Sequence, residues 1–111
     1  REDVADTRFS ASEQLIKLLV DKDLEVDCYD PMIKKSTMKG VNLLNELPNA
    51  NDYSVIVLTV KHKKFLDLNF NDWLLNFSGF VIDSNNIMEI KEIKKLRESG
   101  INIKAIGRGN I

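Results

Sequence analysis

Two short apolar runs constrain the fold of this 111-residue chain more than any other feature. The first, residues 54–60, holds Val55, Ile56, Val57, Leu58 and Val60, interrupted only by Thr59. The second, residues 79–83, centres on Phe80, Val81 and Ile82. Runs this short, β-branched and nearly free of polar residues fit strands buried on both faces, as strands of parallel sheets are. Between them lies a mixed stretch, 61–76, in which Phe65, Leu66, Leu68, Trp73 and Leu74 are spaced as one or two short helices. Strands separated by connections of this size form parallel sheets through right-handed crossovers.

The flanking sequence extends the alternation. Ser10-Ala11-Ser12-Glu13 has the S-x-x-E spacing of a capping box, and Ala11, Leu15, Leu18 and Leu19 follow at helical intervals, which predicts a helix over about 11–21. Leu24, Val26 and Cys28 alternate with Glu25 and Asp27, a strand with one wetter face that Asp30-Pro31 ends. Residues 34–39 are polar and basic and read as loop; 41–47 reads as a short helix stopped by Pro48; 49–52 is a turn cluster. Ile87, Ile90, Ile93 and Leu96 recur every three residues on a helix ending near Ser99, with Gly100 as its C′ residue. Ile101, Ile103 and Ile106 make a last strand. The expected fold is therefore α/β: a Rossmann-like, three-layer domain around a parallel sheet.

That reading carries a puzzle. A doubly wound sheet normally starts on a strand near its centre, whereas the first element here is a helix. The first strand is expected to be missing, with the chain beginning inside a domain; two neighbouring strands would then face each other with unpaired backbone groups.

Composition narrows the function classes. Sixteen Lys and Arg stand against 17 Asp and Glu, a formal charge of -1, so nothing electrostatic favours nucleic acid or an anionic membrane. The longest apolar stretch, 55–60, falls far short of the roughly 20 residues of a spanning helix, and Arg1-Glu2-Asp3 lacks the apolar core of a signal peptide. A single cysteine, Cys28, builds no intramolecular disulfide and no cysteine-based metal site. A cytoplasmic setting is the default expectation.

In open α/β sheets, ligands bind beyond the carboxyl ends of the strands. Those ends carry Asp30-Pro31, Lys61-His62, Asp83-Ser84-Asn85-Asn86 and Gly107-Arg108-Gly109. Arg8, just ahead of the Ser10 helix start, either joins that helix N-terminus in holding a phosphate or pairs with Asp3 or Asp6. His62, the only histidine, has no second ligand for a metal; a helix-start or surface role is favoured over that of a catalytic base. Cys28 reads as a buried structural thiol. The lysines and arginine of 91–97 alternate with Glu89, Glu92 and Glu98 as a solvated helix face. No G-x-G-x-x-G, Walker A, zinc or Ser-His-Asp pattern is present. The residues by themselves describe a Rossmann-like domain with no catalytic set and no metal site.

A resemblance adds what spacing leaves open. The run Asp3-Val4-Ala5-Asp6-Thr7-Arg8-Phe9-Ser10, the strand ending Tyr29-Asp30-Pro31, the buried strand after Asp52-Tyr53, the strand ending in Asp83, and Ile106-Gly107-Arg108-Gly109 resemble, in order, segments of the UDP-glucose/GDP-mannose dehydrogenase family. The resemblance implies that residues 1–111 are a C-terminal UDP-sugar-binding domain, truncated at its N-terminal edge. The complete enzyme would oxidise the C6 alcohol of a nucleotide sugar such as UDP-glucose or a UDP-N-acetylhexosamine to a carboxylate, for polysaccharide biosynthesis. NAD would be bound mainly by an N-terminal domain, and a thiol carried by a central helical region. Those domains and the UDP-sugar would be its partners, and the full enzyme a homo-oligomer. By position, Arg1 falls on the family's substrate-contacting Lys or Arg, and Arg8 on an arginine that contacts NAD. Asn85 stands where many of these enzymes have the arginine of D-G-R, so it is the substrate-side candidate there. The 111 residues alone are expected to lack dehydrogenase activity and to bind UDP weakly or not at all. The competing expectation is a stand-alone Rossmann-like interaction or regulatory module; a receiver-like domain fits less well, since no acidic trio is placed for it.

Overall fold

The computed structural model describes residues 11–30 and 40–107. They fall into two compact units, Arg1–Pro48 and Asn49–Ile111, each described here by itself.

In the first unit, helix α1 (Ala11–Asp21) is where the apolar spacing predicts it. It ends in a Schellman motif: the Leu24 amide donates to the Leu19 carbonyl and the Asp23 amide to that of Val20. Asp23 takes the left-handed position at φ 62°, which glycine usually fills and aspartate tolerates. Strand β1 (Val26–Tyr29) follows and pairs in parallel with β2 (Val41–Leu44). The predicted short helix over 41–47 is therefore wrong. Val41, Leu44 and Leu47 mimic a helical stripe, yet Pro48 leaves too few residues for a helix that stands alone. The exposed Asn42 instead faces Asp27 across the ladder and donates to its Oδ1 at 3.0 Å.

The second unit holds a parallel sheet of order β3-β4-β5, from Val55–Leu58, Phe80–Asp83 and Asn102–Ala105. A short 3-10 turn (Ala50–Asp52) precedes β3, with Asn49 capping it through its side chain. Two one-turn helices, α2 (Lys63–Leu66) and α3 (Phe70–Trp73), link β3 to β4, and α4 (Ile90–Glu98) links β4 to β5. Gly100 closes α4 from φ 94°, in the C′ role its sequence position predicts.

The core lies in this unit, where Val81, Ile103 and Ala105 of the sheet pack with Phe70, Ile93 and Leu96 of the helices and with Leu74 at the end of α3. Gly79 has no room for a side chain, since a Cβ there would overlap the Ser54 carbonyl oxygen. The expectation that β3 is buried on both faces holds only toward its C-terminal end. Leu58 is buried, but Val55 is 53% exposed because β3 is an edge strand of its sheet. Likewise Ile90 of the predicted helical stripe is 45% exposed, whereas Ile87, ahead of the helix, is buried.

All pairings are parallel and all the strands run with helices, so the chain has the α/β, Rossmann-like class its alternation predicts. The strands form two ladders, of two and three strands. Among the described residues no helix is long and apolar enough to cross a membrane.

Candidate functional site

Parallel strands bring their carboxyl ends to one side, and in the second unit that side gathers residues 59–62 after β3, 84–88 after β4 and 106–107 after β5. The end of β4 organises it. Asp83 is fully buried and its carboxylate accepts three backbone N–H bonds from the loop that follows. Oδ1 receives the amides of Asn85 at 3.2 Å and Ile87 at 3.0 Å, and Oδ2 that of Met88 at 2.8 Å. A short acceptor at a strand end folds the chain back on itself this way, as Asx turns do. The turn passes through Asn86 at φ 54°. It also drives Ile87 and Met88 into the core, leaving Ser84 and Asn86 outside.

The loop is then fastened to β3. The Ser84 amide and hydroxyl both donate to the Leu58 carbonyl, at 3.0 and 2.8 Å. The Asn85 side chain donates from Nδ2 to the Thr59 carbonyl at 3.1 Å. On the other side, the Ile106 amide donates to the Asp83 carbonyl at 2.9 Å. Asn85 is thus half-buried, with its amide fixed by Asp83 and its side chain fixed by the end of β3. With Nδ2 turned to a carbonyl, Oδ1 is the atom left to accept from a ligand.

His62 sits at the same end, and its geometry is that of a helix start. It is 7% exposed, caps α2 by accepting the Lys64 amide on Nδ1 at 3.1 Å, and meets Phe65 edge-on at 5.8 Å between ring centroids. A ring held as an N-cap is occupied structurally. Lys61, Lys63 and Lys64 surround it in sequence and bring positive charge to this end of β3.

Of the sequence candidates, Arg1 and Arg8 lie outside the described residues, as do Ser10, Pro31 and the Arg108-Gly109 end. The structure places Asn85 and His62 at the carboxyl ends of neighbouring strands. Cys28 is in the other unit, on β1, half-buried; burial, and secondarily the charge of Asp30, pushes its thiol above the ordinary range. That disfavours the thiolate a nucleophile needs and fits the structural reading. Among the described residues no group of three His, Cys, Asp or Glu side chains is placed to hold a metal.

Sequence reasoning missed Asp83 and Ser84 as the residues that shape the loop. The signal was present: an acid closing a buried strand, followed by Ser-Asn-Asn, is turn chemistry.

A surface recess of about 580 Å³ lies at the opposite end of the sheet, lined by residues that include Asp52, Ser54, Ser78, Gly79 and Asn102. Its lining includes an acid and no Lys or Arg, which disfavours an anionic ligand.

Residues 1–90 match the UDP-glucose/GDP-mannose dehydrogenase family, UDP binding domain. The chain is 28% identical over 109 residues to the UDP-glucose 6-dehydrogenase of Rickettsia conorii (strain ATCC VR-613 / Malish 7), covering 92% of this chain and 24% of that protein. Identity and coverage are the same for the UDP-glucose 6-dehydrogenase of Rickettsia prowazekii (strain Madrid E). The chain thus spans about a quarter of the length of these relatives. No solved structure matches it with significance.

Proposed function

From the premise that the chain belongs to the UDP-glucose/GDP-mannose dehydrogenase family, we propose that it is the nucleotide-sugar-binding C-terminal domain of an NAD-dependent UDP-sugar 6-dehydrogenase. The complete enzyme takes the C6 alcohol of the sugar to a carboxylate, a four-electron oxidation whose two hydrides go to NAD. The observation that carries the reading is the polar loop at the end of β4. Asp83 and Ser84 hold it against β3, and it presents Asn85 where open α/β sheets bind ligands.

Each candidate then has one task. Asn85 accepts a hydrogen bond from the substrate, and the loop that carries it is already ordered, so little entropy is lost on binding. Arg1 contacts the substrate from the segment ahead of α1, and Arg8 reaches the cofactor's phosphates. Anchoring the nucleotide here orients the distant C6 toward a thiol carried by the rest of the enzyme. No residue of this chain is assigned to bond breaking, so the 111 residues alone turn over no UDP-sugar.

The test uses the complete enzyme. Asn85→Ala is expected to raise KM for the UDP-sugar with kcat nearly unchanged, the signature of lost uniform binding. Arg8→Ala is expected to weaken use of NAD by about 1–3 kcal/mol, the usual worth of a hydrogen bond to a charged group. Unchanged kinetics in both variants would overturn the residue assignments, and NADH formation by the 111 residues with a UDP-sugar would overturn the division of labour.

A further inference from the structure

One side chain sits across the outer edge of β5. The Ile106 amide donates to the Asp83 carbonyl, so the backbone groups of Asn102, Lys104 and Ile106 turn toward β4. Strand alternation turns those of Ile103 and Ala105 outward. Arg97, half-buried in the last turn of α4, covers the outward Ile103 carbonyl with Nε at 3.1 Å and Nη2 at 2.7 Å. The local sequence puts it there. With Gly100 at φ 94°, the Gly100 amide donates to the Arg97 carbonyl and the Ile101 amide to that of Leu96. β5 therefore leaves beside the last turn of α4, within reach of a long side chain. A guanidinium is suited to the task, because its planar fork presents two donors from one side. Among the described residues no hydrogen bond reaches the outward amides of Ile103 and Ala105.

Edge strands invite pairing with another chain. A second copy presents the same strand, and across a two-fold axis it arrives antiparallel. Bonds form only in registers that set outward residues against outward residues. Two such registers keep most of Asn102–Ala105 paired. One centres on Lys104 and sets it directly opposite the same lysine of the second copy, a like-charge pair that disfavours the register. The other centres on Ile103 and sets exposed Asn102 opposite exposed Lys104, with no charge opposed. There each Ile103 would exchange both backbone bonds with its counterpart, and that exchange needs the carbonyl that Arg97 covers. Lys104 thus guards one register and Arg97 the other.

We propose that the outer edge of β5 is a latent self-pairing surface and that Arg97 is the latch that holds it shut. With the guanidinium on the Ile103 carbonyl the chain does not pair through β5. Without it, two copies join β5 to β5, antiparallel and centred on Ile103. The proposal stands on the geometry of α4 and β5 and is independent of the nucleotide-sugar reading.

The test is sedimentation of the 111-residue chain, dilute and concentrated, with residue-resolved amide hydrogen exchange on the same samples. Arg97→Met keeps the apolar stem of the side chain and removes both donors. It is expected to associate as concentration rises, with exchange at the Ile103 amide slowed by at least about tenfold in the concentrated sample. The native chain is expected to show neither change. Substitutions at exposed Asn102 then read the register. Added to Arg97→Met, Asn102→Lys opposes two lysines and is expected to weaken the association, whereas Asn102→Glu faces Lys104 and is expected to strengthen it. A folded Arg97→Met that stays monomeric would overturn the proposal. So would association that ignores the charge at position 102, or that leaves the Ile103 amide exchanging as before. The latch is also tested with Arg97 in place, whether or not Arg97→Met folds. Asn102→Glu alone is expected to stay monomeric, and protection of its Ile103 amide that grows with concentration would show that Arg97 holds nothing shut.

Discussion

The two ends of the three-stranded sheet are built from different materials. At the amino end, backbone meets backbone: Gly79 lies so close to the Ser54 carbonyl that no side chain fits between them. At the carboxyl end, side chains add to the backbone contacts. Asp83 holds three amides, Ser84 and Asn85 hold the end of β3, and His62 caps α2. A jammed end resists change and offers a ligand little. A polar end spends its groups on ordering loops, and it needs only an atom such as the Asn85 Oδ1 left over to recognise something. The recess at the amino end, whose lining carries an acid and no Lys or Arg, is the weaker candidate for an anionic nucleotide.

Substitutions at each end can break this contrast. The largest effect is expected from Asp83→Ala, which strands buried amides without an acceptor. At about 1–3 kcal/mol for each unsatisfied group, with partial relaxation, the loss is about 3–5 kcal/mol by chemical denaturation. Asp83→Asn, which keeps one acceptor oxygen, should cost less, and a cost below about 1 kcal/mol for Asp83→Ala would mean that the loop is not held as described. Gly79→Ala comes next, at about 2–3 kcal/mol, because the obstacle is the Ser54 backbone and not a side chain that can swing aside. If Gly79→Ala is neutral, the amino end is not jammed. The smallest effect is expected from His62→Ala, at about 1 kcal/mol for a lost N-cap, with His62→Asn retaining most of the stability. A loss in His62→Asn as large as in His62→Ala would show that the ring contributes something other than the cap.

Much of this was legible in sequence, for identifiable reasons. The helix at α1, the strands β3, β4 and β5, and Gly100 at the end of α4 follow from local pattern and local backbone chemistry. The strand β2 was not legible, because Val41, Leu44 and Leu47 fit a helical period and the partner that decides the matter, β1, is 15 residues away at Asp27–Asn42. At the site, Asn85 was singled out only through the family resemblance. The work of Asp83 was missed although an acid closing a buried strand ahead of Ser-Asn-Asn signals a turn, because the sequence does not say which backbone amides that acid holds. The exposure of Val55 depends on strand order, which composition does not encode.

The central claim, that the carboxyl end of the three-stranded sheet is the nucleotide face, is tested most directly by titrating the isotope-labelled 111-residue chain with UDP. Chemical-shift changes would be followed residue by residue into the weak range, where a Kd of about 1 mM corresponds to about -4.1 kcal/mol. The account predicts small, fast-exchange changes gathered on residues 59–62 and 83–86, reduced in Asn85→Ala. Saturable changes confined to residues 51–54 and 78–80, at the opposite end, would contradict it.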